Sequence, residues 1–284
     1  RTTTELAPIQ LLPRAYKAFM VTKKIEGRSL GTLEQYKLRL EPFFQQVGKD
    51  LPNITTNDIR RYLYLFQDQR GVSNRTLDNM RHAFNSFFSW CAKEGYCEKN
   101  VCEAIGPIKY TARPINALSD VEMEALRSAC RTPREHAIIE TLYSTGCRVS
   151  ELCALNRNRD IDFSTRDVEL FGKGSKVRFS GLNARAVIAL KEYLVQRTDD
   201  CEALFIGEQK KERLQQGGIR KILKKIADRV SVKDVHPHRI RHTFATDAIQ
   251  HGMPVTHLQK LMGHAQIGTT MIYVDVPHAP GRTS

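Results

Sequence analysis

Apolar residues along the first part of the chain recur at helical spacing. From Thr32 to Phe44 the positions Leu33, Tyr36, Leu40, Phe43 and Phe44 fall on one face. Thr55-Thr56-Asn57-Asp58 reads as a capping box with Asp58 in the place usually held by Glu. It opens a helix carrying Ile59, Tyr62, Leu63 and Phe66. Ser73 or Asn74 caps a longer helix in which Leu77, Met80, Phe84, Phe87 and Phe88, at offsets 0, 3, 7, 10 and 11, make one stripe. No strand pattern interrupts this half. Its last helix has a polar face of Arg75, Asn79, His82, Asn85, Ser86 and Ser89, with Asp78 the one acid on it. That face is either a solvated surface or a close approach to a sugar–phosphate backbone, for which Arg75, Asn79, His82 and Ser86 are the candidate contacts.

The pattern then changes. Gly106 to Pro114 has two prolines, one glycine and no apolar periodicity, so it reads as an extended linker. Ser119-Asp120-Val121-Glu122 is a capping box that opens a new helix. Helical patterns cover roughly 119–131, 134–145, 183–197, 216–230, 238–251, 254–262 and 267–273. Ile161–Phe163, Asp167–Phe171 and Val177–Phe179 alternate as strands around a glycine-rich turn, which predicts a small antiparallel sheet. The expected architecture is mainly α with that one sheet in the C-terminal domain. A helical domain over 1–108 and an α+β domain over 118–284 are joined by a linker over 109–117, as a two-domain clamp.

Charge sharpens this picture. Lys+Arg is 44 against 31 Asp+Glu, a net +13, and 26 of the cations are arginine. That balance rules out an acidic disordered tail protein, and since arginine's planar fork suits bidentate contact with phosphate it favours a polyanionic partner. Both halves are basic, at +7 for 1–117 and +6 for the rest. No apolar run approaches the ~20 residues a membrane span needs, and RTTTELAPIQ lacks the basic and apolar regions of a signal peptide. Seven irregularly spaced cysteines without a C-x-x-C pair argue against a disulfide scaffold or zinc ribbon and point to the reduced cytoplasm.

Four clusters carry candidate chemistry. In Thr145-Gly146-Cys147-Arg148-Val149-Ser150-Glu151-Leu152, Arg148 and Glu151 are three apart, hence on one helical face, as either a surface ion pair or a guanidinium aimed by a carboxylate. Phe171-Gly172-Lys173-Gly174-Ser175-Lys176 is not a phosphate loop, because Asp167 stands where the first glycine belongs and Gly174 where the hydroxyl belongs. It leaves Lys173 in a basic turn. In His236-Pro237-His238-Arg239-Ile240-Arg241-His242, His238 and Arg241 share a helix face with His242 beside them; no H-e-x-x-H pattern or nearby acid supports a metal. Leu261-Met262-Gly263-His264 and Thr269-Thr270-Met271-Ile272-Tyr273 follow, with His264 and Tyr273 nine apart and Gly263 and Gly268 free to turn the chain between them.

In this order and spacing, Arg148, Lys173, His238-x-x-Arg241, His264 and Tyr273 resemble the active-site signature of the tyrosine recombinases, the family of the Xer proteins and of phage and transposon integrases. The resemblance implies that the first half is the family's helical core-binding domain and the second its catalytic domain. It implies that Tyr273 attacks a phosphodiester of duplex DNA, forming a 3′-phosphotyrosyl link and releasing a 5′-hydroxyl, with no metal, nucleotide or other cofactor. Arg148 and Arg241 then clamp the non-bridging oxygens and His264 adds a hydrogen bond. Lys173 protonates the leaving oxygen, His238 either assists proton removal from Tyr273 or bonds a phosphate oxygen, and Glu151 orients Arg148 or His238. Double-stranded DNA with inverted half-sites and a homo-oligomer on it, dimer to tetramer, are the implied partners. Family members usually continue from the tyrosine into a helix that docks on a neighbour. Pro277, Pro280 and Gly281 predict no such helix here, so either the chain is truncated or it uses a different coupling device, such as a strand. Integration or excision of a mobile element is the favoured role, beside Xer-type dimer resolution. A type IB topoisomerase-like enzyme and a non-catalytic DNA-binding regulator are the competing classes.

Overall fold

The computed structural model describes residues 13–111, 116–172, 177–264 and 266–273. Lys173 and the Pro277–Gly281 segment lie outside them. The chain divides into two compact units, Arg1–Arg113 and Pro114–Ser284.

The first unit is helical, with α1 (Arg14–Ile25), α2 (Leu30–Val47), α3 (Thr56–Arg70) and α4 (Asn74–Lys93). Ser29, Thr55 and Ser73 cap the last three through their hydroxyls, and Asp58 closes the Thr55 capping box from its N3 position. The stripe Leu77, Met80, Phe84, Phe87 and Phe88 is buried, and α4 faces an aromatic core built with Phe19, Phe43, Phe44 and Tyr62. Helix α1 lies outside the helices named from the sequence; Ala15, Tyr16 and Phe19 supply its buried face. Asp78 departs from the sequence reading. Its side chain turns inward, is 8% exposed, and accepts from the Arg81 Nε–H (2.8 Å) and the Ile108 N–H (3.1 Å). The polar face of α4 thereby loses its one acid. Asn74 donates to the Lys109 carbonyl (2.9 Å), so the chain to Lys109 is strapped onto α4 rather than hanging free.

In the second unit, α5 (Asp120–Ser128) starts at the Ser119–Glu122 capping box and α6 (Pro133–Thr145) runs through the core. Helix α6 is enclosed almost all round: Ala137, Ile138, Ile139 and Leu142 are fully buried, and its buried Glu140 and Glu135 are paired with Arg127 and Arg229 at 2.6 Å each. Next come α7 (Val149–Ala154) and the sheet β1 (Ile161–Asp162), β2 (Asp167–Phe171), β3 (Val177–Gly181), antiparallel in the order β1-β2-β3. Then follow α8 (Ala184–Val195), α9 (Gln216–Arg229), α10 (Pro237–Gln250), α11 (Val255–Met262) and the short α12 (Gly268–Met271). The register pairs Val168 with Ser180 and Leu170 with Arg178, which turns Ser180 and Arg178 to the covered side and leaves Val177 and Phe179 exposed. No described helix is long and apolar enough to cross a membrane.

Candidate active site

The site is assembled at element ends. Helix α6 stops at Gly146, whose φ of +57° is a left-handed cap. A Cβ there would drive into the Phe244 ring, so glycine is required on two counts. The Thr145 hydroxyl steadies the exit, donating to the Thr141 carbonyl (2.6 Å) and accepting from the Cys147 N–H (3.2 Å). Arg148 follows as the N-cap of α7, in extended backbone (ψ 150°). It therefore meets Glu151 as N-cap to N3, with the carboxylate reaching back to the cap, rather than as neighbours on a helix face. The Arg148 N–H donates to Glu151 Oε2 (2.7 Å) and its Nη1 to Oε1 (2.9 Å).

Arg178, on β3, completes this arrangement. Its Nη1 and Nη2 donate to the two oxygens of Glu151 at 2.6 and 2.7 Å, and its Nε donates to the Leu261 carbonyl (2.6 Å). Glu151 is 2% exposed. Burial pushes its carboxyl upward, but the hydrogen bonds and charge of Arg178, with those of Arg148, outweigh it and hold the pKa below the usual carboxylate value.

Arg241, on α10, is 4% exposed and donates to the Gly146 carbonyl through Nη1 and to the Met262 carbonyl through Nη2 (2.6 Å). Burial first, then the charges of Arg148 and Arg178, bring its pKa down to about 10. Helix α11 ends at Gly263, left-handed at φ +61°, and the Gly263 carbonyl accepts from Arg148 Nη2 (3.1 Å). Three guanidiniums thus surround a single carboxylate. Arg241 is enclosed and Arg148 is partly open to solvent, with its side chain 36% exposed. The surplus of positive charge suits an anion with several oxygens.

His264 follows Gly263 directly. Its Nε2 is 3.3 Å from Arg241 Nη2 and its Nδ1 2.9 Å from Thr270 Oγ1. Burial, then the charges of Arg241, Arg148 and Arg178, lower its pKa to about 4. Tyr273 stacks nearly parallel to His264 (centroids 6.4 Å apart, 15° between planes) and edge-on to His242 (4.9 Å, 69°). It is 8% exposed, within a small core of Ala245, Leu258 and Met262. Burial raises its phenol pKa, and the charges of Arg241 and Arg148 oppose the rise. His238 is exposed, one turn before Arg241; desolvation and the Arg241 charge lower its pKa.

The structure therefore brings Arg148, Glu151, Arg241, His264 and Tyr273 together, with His238 at the edge; the position of Lys173 lies outside the described residues. Arg178 was missed by sequence reasoning. Its signal was a cation facing inward opposite the fully buried Leu170, a position that demands a carboxylate. A second unread feature is the exposed face of Arg220, Lys221, Lys224 and Lys225 on α9, where the Arg220 charge reaches His238. In the first unit, Asn79 and His82 are exposed on α4, and the exposed Arg75 sits 6.0 Å over the Tyr110 ring. The Ser86 hydroxyl is bonded to that of Tyr36 (3.0 Å). Among the described residues no group of three or more His, Cys, Asp or Glu is placed to hold a metal ion.

Residues 116–279 match the phage integrase family and residues 16–98 its N-terminal SAM-like domain. Tyrosine recombinase XerC of Roseiflexus castenholzii is 33% identical over 90% of this chain and 86% of its own length. XerC of Oceanobacillus iheyensis is 34% identical over 86% and 85%. A lambda integrase dimer bound to a core site shares the fold with a TM-score of 0.74 at 18% identity, covering 92% of this chain and 94% of that one. The chain belongs to the phage integrase family, the tyrosine recombinases.

Proposed function

We infer that this protein is a site-specific DNA recombinase that cuts and rejoins duplex DNA through a 3′-phosphotyrosyl bond on Tyr273. The observation that carries the reading is the excess of guanidinium over carboxylate beside a buried tyrosine. Arg148 and Arg241 take the non-bridging oxygens of the phosphodiester, His264 adds a hydrogen bond, and Glu151 with Arg178 fixes the Arg148 fork. His238 receives the phenolic proton or bonds the phosphate, and Lys173 protonates the 5′-oxygen as it leaves. A dianionic transition state replaces the repulsion among the guanidiniums by attraction. The phosphotyrosyl bond keeps the energy of the phosphodiester, so resealing draws on no nucleotide.

Residues 1–108 act as the core-binding domain, and Arg75, Asn79 and His82 face the DNA backbone; Ser86, bonded to Tyr36, contributes through that tyrosine's placement. The substrate is duplex DNA with inverted half-sites, bound by two to four copies of the chain in the cytoplasm. Curated relatives aligned along most of their own length are XerC proteins, whereas the likeness to lambda integrase is one of fold. This favours Xer-type dimer resolution over the integration of a mobile element.

The test is to select bound duplexes from random and flanking genomic DNA and to place two copies of the recovered site on one plasmid. An inverted pair of half-sites and strand exchange between copies are expected. Relaxation of supercoils on any sequence by monomers would instead establish a topoisomerase, and binding without cleavage a regulator.

A further inference from the structure

His264 meets its two partners through opposite ring nitrogens. Nε2 faces Arg241, and a guanidinium has donors only, so Nε2 accepts there. The proton of the neutral imidazole then sits on Nδ1 and is donated to Thr270 Oγ1. In this tautomer Nε2 has nothing to donate. A phosphate oxygen arriving among the guanidiniums offers acceptors only. For His264 to bond it, the proton must be on Nε2, and Nδ1 must then accept from its own partner.

That partner is suited to both states. Thr270 is fully buried, and its N–H is fixed on the Ile267 carbonyl (2.7 Å). A hydroxyl rotates its hydrogen and is donor or acceptor without moving its oxygen. The Thr270 carbonyl also accepts from the Tyr273 N–H (3.1 Å), so one residue is bonded to the histidine ring and to the backbone of the tyrosine.

We propose that Thr270 is the positioning residue that lets His264 exchange tautomers on substrate binding. In the free protein its hydroxyl accepts from Nδ1–H. When a phosphate engages Arg241, the Nδ1–H bond breaks, a proton from solvent forms Nε2–H, and the Thr270 hydroxyl turns to donate to Nδ1. One proton leaves as one arrives, with no change of charge and no co-reactant. The inference rests on the strand-cleaving reading above.

The experiment pairs cleavage kinetics with nitrogen-15 NMR of the histidines. On a nicked duplex of the selected site, Thr270→Val should form covalent adduct at least ~10-fold more slowly than wild type, and no worse than the ~10²–10³-fold cost of losing a whole oxyanion donor. Its DNA affinity should be unchanged, Thr270→Ser should restore the rate, and Thr270→Val should add nothing in a His264→Ala background. The wild-type His264 spectrum should show Nδ1–H in the free protein and Nε2–H in the Tyr273→Phe complex with DNA. Thr270→Val cleaving at the wild-type rate, a further loss in the His264→Ala background, or one tautomer throughout would overturn the proposal. Should Thr270→Val not fold, the wild-type and Tyr273→Phe spectra decide alone. A wild type that binds its site and forms no adduct refutes the cleavage reading itself, a result distinct from Thr270→Val keeping pace with an active wild type.

Discussion

Replacing Glu151 by glutamine probes the scaffold of the site. The carboxylate accepts four hydrogen bonds: each oxygen takes one from Arg178, Oε1 takes another from Arg148 Nη1, and Oε2 one from the Arg148 N–H. Glutamine turns one acceptor into an NH2, and either orientation sets it against two N–H donors. Two charge-assisted bonds are lost, each worth about 1.5–3 kcal/mol. Breaking one partner of a buried ion pair costs about 3–5 kcal/mol, a range that overlaps this sum. Spread over the 170 or so residues of the second unit, that loss lowers its melting temperature by about 6–20 °C. Differential scanning calorimetry of the full chain at neutral pH reads the shift. The pH dependence has a fixed sign. The folded pKa of Glu151 is depressed, so its stabilisation is complete above the unfolded value near 4.3 and is lost as pH falls through the lower folded value. Wild type and Glu151→Gln should therefore converge in acid. A shift under ~2 °C at neutral pH, or a gap that widens in acid, would refute the reasoning.

Gly263→Ala meets two penalties, a positive φ and a Cβ 3.3 Å from Arg178 Cδ. It should cost about 1–2 kcal/mol and slow adduct formation, whereas Gly252→Ala, at φ +83° with open space around it, should cost stability alone; thermal melts with cleavage assays compare them. His264→Gln should flatten the acid side of the stability curve. The folded pKa of about 4 lies below the unfolded value near 6.5, so the unfolded chain binds more protons between them and wild-type stability falls as pH drops through that window; urea melts across pH measure it. DNA affinity should fall ~10³–10⁵-fold between 50 and 200 mM salt if 6–10 phosphates are contacted. Lys224→Ala and Lys225→Ala should each lower the logarithmic salt slope by about one, read by titration against labelled duplex.

The helices of the first unit were legible because a single stripe of large apolar residues decides them, and the short loops carry hydroxyl caps. Helix α1 was harder, since its buried face is only Ala15, Tyr16 and Phe19. In the second unit the local strings around Arg148, Arg241 and His264 marked the site, yet its geometry came from distant contacts. Arg178 meets Glu151 across 27 residues of sequence, and its inward orientation follows from strand register rather than from composition. Asp78 looked solvent-facing on a helical wheel, but the Ile108 N–H, 30 residues on, drew it inward. The Arg148–Glu151 pair was read with the right partners and the wrong local geometry, because Gly146 ends α6 and places Arg148 at a cap.

The most direct test traps the covalent complex on a nicked or phosphorothiolate-containing copy of the selected site, digests it with protease and maps the DNA-bearing peptide by mass spectrometry. The DNA should be joined through its 3′-phosphate to Tyr273, and Tyr273→Phe should bind the duplex without forming an adduct. An adduct of normal yield from Tyr273→Phe, or one carried on another residue, would contradict the account.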